Sequence, residues 1–148
     1  SWKEQVTMKA IVFYYSKSNT TRITAEEIAA KFQADVFPIE SKRKADSTQP
    51  QNSAFGNYTL YFLGSPAWSG RLPSAIKAFV ENLNLGDRDV FLFLTSEGNS
   101  TDKATADLRR LMEKRKATVL GELKLDCTGL DETGIREKAK QAVQDIRL

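Results

Sequence analysis

The sequence predicts an α/β fold in three layers: a five-stranded parallel sheet in strand order 2-1-3-4-5, with helices on both faces and the helix between strands two and three reduced or absent. Three observations predict it. Strand-length apolar runs alternate with helix-length segments of period 3.6, in the order β-α-β-loop-β-α-β-α-β-α, and strands joined by helical crossovers run parallel. The runs at 12–15, 58–64 and 90–94 are apolar on both faces, as interior strands are, whereas the second and fifth carry edge signals. Finally, three strand ends run into short segments crowded with Ser, Thr, Asn and Gly.

The first strand, Val12-Phe13-Tyr14-Tyr15, stops at Ser16. Five hydroxyl or amide side chains (Ser16, Ser18, Asn19, Thr20, Thr21) fill the next six positions, and a helix follows with Ala25, Ile28, Ala29 and Phe32 on one face. A helix cap needs one Ser or Thr. This density predicts an anion site, because a helix N-terminus leaves backbone N–H groups unpaired and its macrodipole favours negative charge.

The second strand, 36–39, contains Pro38, which cannot donate to a ladder and so assigns it to an edge. Residues 40–57 show no helical period and carry Pro50, so a crossover with little or no helix is expected. Lys42-Arg43-Lys44 within it reads as a solvated run, with a partner contact as the alternative. The third strand, 58–64, leads into the turn-rich Ser65-Pro66-Ala67-Trp68-Ser69-Gly70. A helix is expected next with Pro73 in its first turn, Ile76, Phe79, Val80 and Leu83 on one face, and Gly86 as its stop. The fourth strand, 90–94, ends in Thr95-Ser96-Glu97-Gly98-Asn99-Ser100, and a helix bearing Ala104, Leu108, Leu111 and Met112 follows. In the fifth, 118–126, Val119, Gly121 and Leu123 are expected on one face and Glu122 and Lys124 on the other. The last helix sets Ile135, Ala139, Ala142, Val143 and Ile146 on one side. In open α/β sheets ligands bind beyond the carboxyl ends of the strands where the strand order reverses. Here that point lies between strands one and three, at the hydroxyl-rich loop and the Trp68 loop.

Composition narrows the chemistry. One cysteine and no histidine exclude an intrachain disulfide, a Cys–His pair, a Ser–His–Asp triad and a Cys/His zinc site. Neither catalytic residues nor metal ligands are expected, and the chemistry is expected to come from a bound molecule. Cys127 reads as a structural thiol. The sequons at Asn19, Asn57 and Asn99 carry no weight without a secretion signal. Residues 1–7 are polar with no apolar h-region, and Met8 directly precedes the first strand. They are read as a tag remnant or N-terminal extension, and 8–148 as one domain that buries about two-thirds of its unfolded surface. No apolar run approaches the roughly 20 residues of a membrane span. The expectation is a cytoplasmic protein without a nucleic-acid or membrane partner.

The loops also carry a resemblance. Val-Phe-Tyr-x-Ser-x-x-Asn-x-Thr-x-x-x-Ala-x-x-Ile, from Val12 to Ile28, resembles the phosphate-loop signature of flavodoxins, departing at Asn19 where the family usually has Gly or Ala. Gly64-x-Pro66-x-Trp68-x-Gly70-x-x-Pro73 is similar to the second flavin loop of short flavodoxin-like proteins. Thr95-Ser96-Glu97-Gly98 is similar to the third, usually Thr-Ser-Gly-Gly, with Glu97 the departure. The match runs in order and spacing from Met8 to Leu125. It implies FMN as cofactor, held at the switch point as flavodoxins of this strand order hold it. Ser16, Lys17, Ser18, Asn19, Thr20 and Thr21 would surround the phosphate. Ser65, Pro66, Ala67, Trp68, Ser69 and Gly70 would meet the ring, with Trp68 stacked on it and a core aromatic as the alternative for that residue. Thr95, Ser96, Glu97, Gly98 and Asn99 would edge the ring's polar side.

The function so implied is electron transfer between a reductase and an acceptor. The alternatives are an FMN-dependent NAD(P)H oxidoreductase acting on quinone, nitro or azo compounds, and a flavin-free interaction domain on the same fold. A receiver domain is excluded because no acidic pair ends the first strand. The expected partner is a redox protein. Because the net charge is +3, it is expected to present an acidic patch, and the chain itself to be a monomer or weak dimer.

Overall fold

The computed structural model describes residues 9–41 and 55–148. The elements run β1 (Ala10–Tyr14), α1 (Thr20–Phe32), β2 (Asp35–Pro38), β3 (Leu60–Pro66), α2 (Ser74–Asn82), β4 (Asp89–Ser96), α3 (Asp102–Lys114), β5 (Thr118–Asp126) and α4 (Glu132–Gln144). The five strands form one parallel sheet in the order β2-β1-β3-β4-β5, as expected. Pro38 lies opposite Tyr14 on the outermost strand, where its missing N–H leaves no ladder position empty.

Alternation along the three inner strands fills both faces. Phe13, Tyr61, Leu63, Leu92 and Leu94 meet Ile76, Phe79 and Val80 of α2 and Leu108 and Met112 of α3. On the opposite face Val12, Leu60, Phe62 and Phe93 meet Ala25 and Ile28 of α1 and Val143 of α4. Each fully buried side chain of this kind contributes about 1.5–3 kcal/mol, so the two-sided burial of β1, β3 and β4 is what holds the layers together. Gly64 makes room for this packing: a Cβ there would lie 2.1 Å from the Phe93 ring.

Four expectations need correction. β3 runs on to Pro66 and β4 to Ser96, so Ser65, Pro66, Thr95 and Ser96 lie in strands rather than in loops. Ser65 pairs with Leu94 and Pro66 with Thr95, and this pairing between two interior strands overrides the low β-propensity of small polar residues. α2 ends at Asn82 with Leu83 extended as its cap, so Gly86 is not its stop, and Pro73 is the extended cap residue before the helix rather than part of its first turn. The register of β5 shifts between Val119, opposite Val90, and Gly121, opposite Phe91. The extra residue, Leu120, is exposed, and the alternation is inverted beyond it. Val119 therefore packs with the α2–α3 face and Leu123 with the other. Glu122 and Lys124 reach Arg109 and Asp102 of α3. Lastly, Ile146 lies beyond the end of α4, though it remains buried.

Residues 1–8 and 42–54 lie outside the described residues, and with them the readings of the N-terminal extension, of most of the crossover and of Lys42-Arg43-Lys44. Among the described residues no helix is long and apolar enough to cross a membrane.

Candidate functional site

The carboxyl ends of β1, β3 and β4 lie side by side, and the three polar loops meet there. The sequence begins α1 at Thr20 with no side-chain cap and no acidic residue in its first turn; the Thr20 and Ile23 N–H groups donate to the Ser18 and Asn19 carbonyls, and those of Thr21 and Arg22 are left for another acceptor. Asn19, at the cap position, faces away. Its Nδ2 donates to Glu132 Oε1 (3.0 Å) at the start of α4, and its Oδ1 accepts from Arg22 Nε (3.2 Å). Ser16 Oγ donates to the Ser18 carbonyl (3.2 Å).

The two threonines that open α1 part company. Thr21 is buried, its hydroxyl 2.8 Å from that of Thr95, which is buried as well. Thr20 Oγ1 instead donates to Glu97 Oε1 at 3.4 Å. Two consecutive side chains on a helix point about 100° apart, so one reaches β4 and the other the loop beyond it.

In the second loop Trp68 and Arg71 exchange both backbone hydrogen bonds at 2.9 Å, and Ser69 (φ 50°) and Gly70 (φ 79°) are both left-handed. This is a two-residue turn of the I′ kind, which demands positive φ at both centres. It presents Trp68 outward, 40% exposed, with its ring edge-on to Tyr15 at 5.7 Å and the Lys17 ammonium 5.3 Å from its centroid. The core-aromatic alternative for Trp68 is thereby overturned.

The third loop turns at Gly98, whose φ of 107° suits glycine alone. Beside it, Cys127 N donates to the Ser96 carbonyl (2.8 Å). The Asp126 carboxylate accepts from the Thr128 hydroxyl and backbone N–H, which hold it below the usual carboxylate range. Burial pushes the Cys127 thiol up, as befits a structural cysteine.

Together these loops enclose a cleft of about 260 Å³ lined by Ser18, Thr20, Pro66, Ala67, Trp68, Ser69, Thr95, Ser96, Glu97 and Asn99. Seven of the sequence-predicted residues do not line it: Ser16, Lys17, Asn19, Thr21, Ser65, Gly70 and Gly98. Lys17 lies over Trp68, Ser65 is fully buried with its hydroxyl on the Pro66 carbonyl (2.8 Å), and Gly70 and Gly98 shape their turns. Sequence reading missed Tyr15, which backs Trp68, and Arg71, which closes its turn. The Ser-Gly dipeptide was the available signal for that turn.

No family model and no curated protein matches this chain, but many solved structures do. The two-electron reduced flavodoxin of Megasphaera elsdenii superposes with a TM-score of 0.68 at 19% identity, over 91% of this chain and 98% of its own. A flavoprotein of Lactobacillus acidophilus in complex with FMN gives 0.65 at 20% identity, over 90% and 99%. Oxidised flavodoxin 2 of Bacillus cereus gives 0.69 at 21%, over 92% and 95%. At such identities the likeness is one of fold. The strand order, the four helices among the described residues and these superpositions agree: this chain has the flavodoxin fold.

Proposed function

We propose that the cleft binds FMN and that the protein carries electrons between a reductase and an acceptor. One observation carries the reading: neutral hydroxyl donors, an uncapped helix N-terminus and an exposed tryptophan face converge in one cleft at the switch point of the sheet. The donor chemistry fits the cofactor. A phosphate needs N–H and O–H donors, which Ser18, Thr20 and the first turn of α1 provide without a lysine. A flat ring needs an apolar face, and Trp68 provides one worth on the order of 0.5–1.5 kcal/mol beyond the area it buries. Ser96 and the backbone of 95–99 would edge the ring and set its potential through hydrogen bonds. Bound there, FMN supplies reversible electron transfer. The L. acidophilus complex supports the choice of ligand, and the flavodoxin neighbours support the carrier role.

The partner follows from charge. Lys17 and Arg71 are exposed beside Trp68 and the chain carries +3 overall, so a partner with an acidic rim around its own redox centre fits this face.

Reconstitution with FMN, gel filtration and acid release of the flavin test the reading. One FMN retained per chain is expected, and a colourless protein after reconstitution would contradict it. Oxidation of NADH or NADPH with small acceptors and no partner protein would assign the oxidoreductase instead.

A further inference from the structure

We propose that Glu97 is a built-in competitor for the phosphate of the cofactor, occupying its donor when the cofactor is away. The inference rests on the FMN reading above. Glu97 Oε1 accepts from Thr20 Oγ1, the one hydroxyl of the α1 first turn that lines the cleft, and Glu97 lines the same cleft. The first turn has no acidic residue of its own, so the carboxylate is brought 77 positions along the chain to the place where a helix N-terminus favours negative charge. Among the described residues Glu97 makes no ion pair, and its side chain is exposed and able to swing away.

A hydroxyl has one proton to donate, and a carboxylate and a phosphate dianion at the same donor repel each other. Ligand phosphate therefore enters only as Glu97 leaves. The consequence is specific: Glu97 weakens a phosphorylated flavin and leaves an unphosphorylated one nearly alone. The residue thus sets the balance between FMN and riboflavin.

Titration of wild type, E97A and E97Q with FMN and with riboflavin tests this, with inorganic phosphate as a third probe followed by the amide NMR shifts of residues 18–21. E97A is expected to bind FMN about tenfold more tightly, an amount equal to about 1.4 kcal/mol, and riboflavin within about threefold of wild type. E97Q, neutral but still an acceptor, should move FMN in the same direction by less, and E97A should bind inorganic phosphate at lower concentration than wild type. FMN affinity unchanged or weakened in E97A, or FMN and riboflavin tightened alike, would overturn the proposal while leaving FMN as the ligand. Absence of FMN binding in all three proteins, with phosphate still tightened in E97A, would overturn the FMN reading and uphold the competition.

Discussion

Thr21 Oγ1 and Thr95 Oγ1 lie 2.8 Å apart, both buried, and join the first turn of α1 to the end of β4. This contact fixes the helix start against the strand that carries the third loop, and so fixes the two walls of the cleft to each other. Thr21→Val leaves the Thr95 hydroxyl buried without its partner, which costs about 1–3 kcal/mol. Thr21→Val with Thr95→Val removes both groups and should cost less than the sum of the two single changes. Urea unfolding of the three variants measures it; strictly additive costs would show that the hydroxyls do not act as a pair.

Gly64→Ala places a methyl group where the Phe93 ring lies 2.1 Å away. The ring is fully buried between β3 and the helices of its face and cannot yield without cost. Overpacking of this kind costs about 1–3 kcal/mol. Thermal melts should show the loss, and adding Phe93→Leu should recover part of it. A variant as stable as wild type would place the Phe93 ring elsewhere.

Glu26 links α1 to α4. Hydrogen bonds from Arg136 (2.8 Å) and then from Arg22 (2.7 Å) hold its carboxyl below the ordinary 4.5. A carboxyl lowered in the folded state adds stability that is fully present above its unfolded value and is lost as pH falls through the folded one. The pair is partly exposed, so its share is at most about 1 kcal/mol after solvent screening. Chemical denaturation from pH 6 down to pH 3, as a range of about three pH units, should show wild type losing more stability than Glu26→Gln below the ordinary glutamate value. Parallel curves would remove Glu26 from the acid response.

The fold was legible because its signals are local. Pro38 marks an edge, and 58–64 and 90–94 are apolar at every position that a two-sided strand requires, so the strand order could be read without knowing any contact. Trp68 stood out by its Ser, Gly and Pro neighbours. What remained hidden depends on direction and distance. Counting hydroxyls cannot tell that Thr20 faces the cleft while its neighbour Thr21 is spent on Thr95, nor that Asn19 turns to Glu132. The irregularity in β5 was masked because Leu120 is apolar and exposed, which breaks the alternation without changing the composition. Strand ends were short by two residues at Ser65–Pro66 and Thr95–Ser96, because pairing rather than propensity carries those positions.

Lys17 and Arg71 beside the Trp68 face, with a net charge of +3, predict the salt response of electron exchange. With a reductase that presents an acidic face the rate should be high and should fall as ionic strength rises, because screening weakens attraction between opposite charges. Stopped-flow rates with one acidic and one basic reductase check it. A faster rate with the basic partner would show that Glu97 outweighs the basic rim.

The central claim is that the α1 loop holds a phosphate, and the FMN-to-riboflavin affinity ratio of Ser18→Ala with Thr20→Ala tests it most directly. Each hydrogen bond lost to a charged group costs about 1.5–3 kcal/mol, tenfold or more in affinity, and only FMN carries the charge. Fluorescence titration should show FMN weakened at least tenfold and riboflavin within about twofold of wild type, as befits a ligand that lacks the phosphate. Equal weakening of the two flavins would contradict the account.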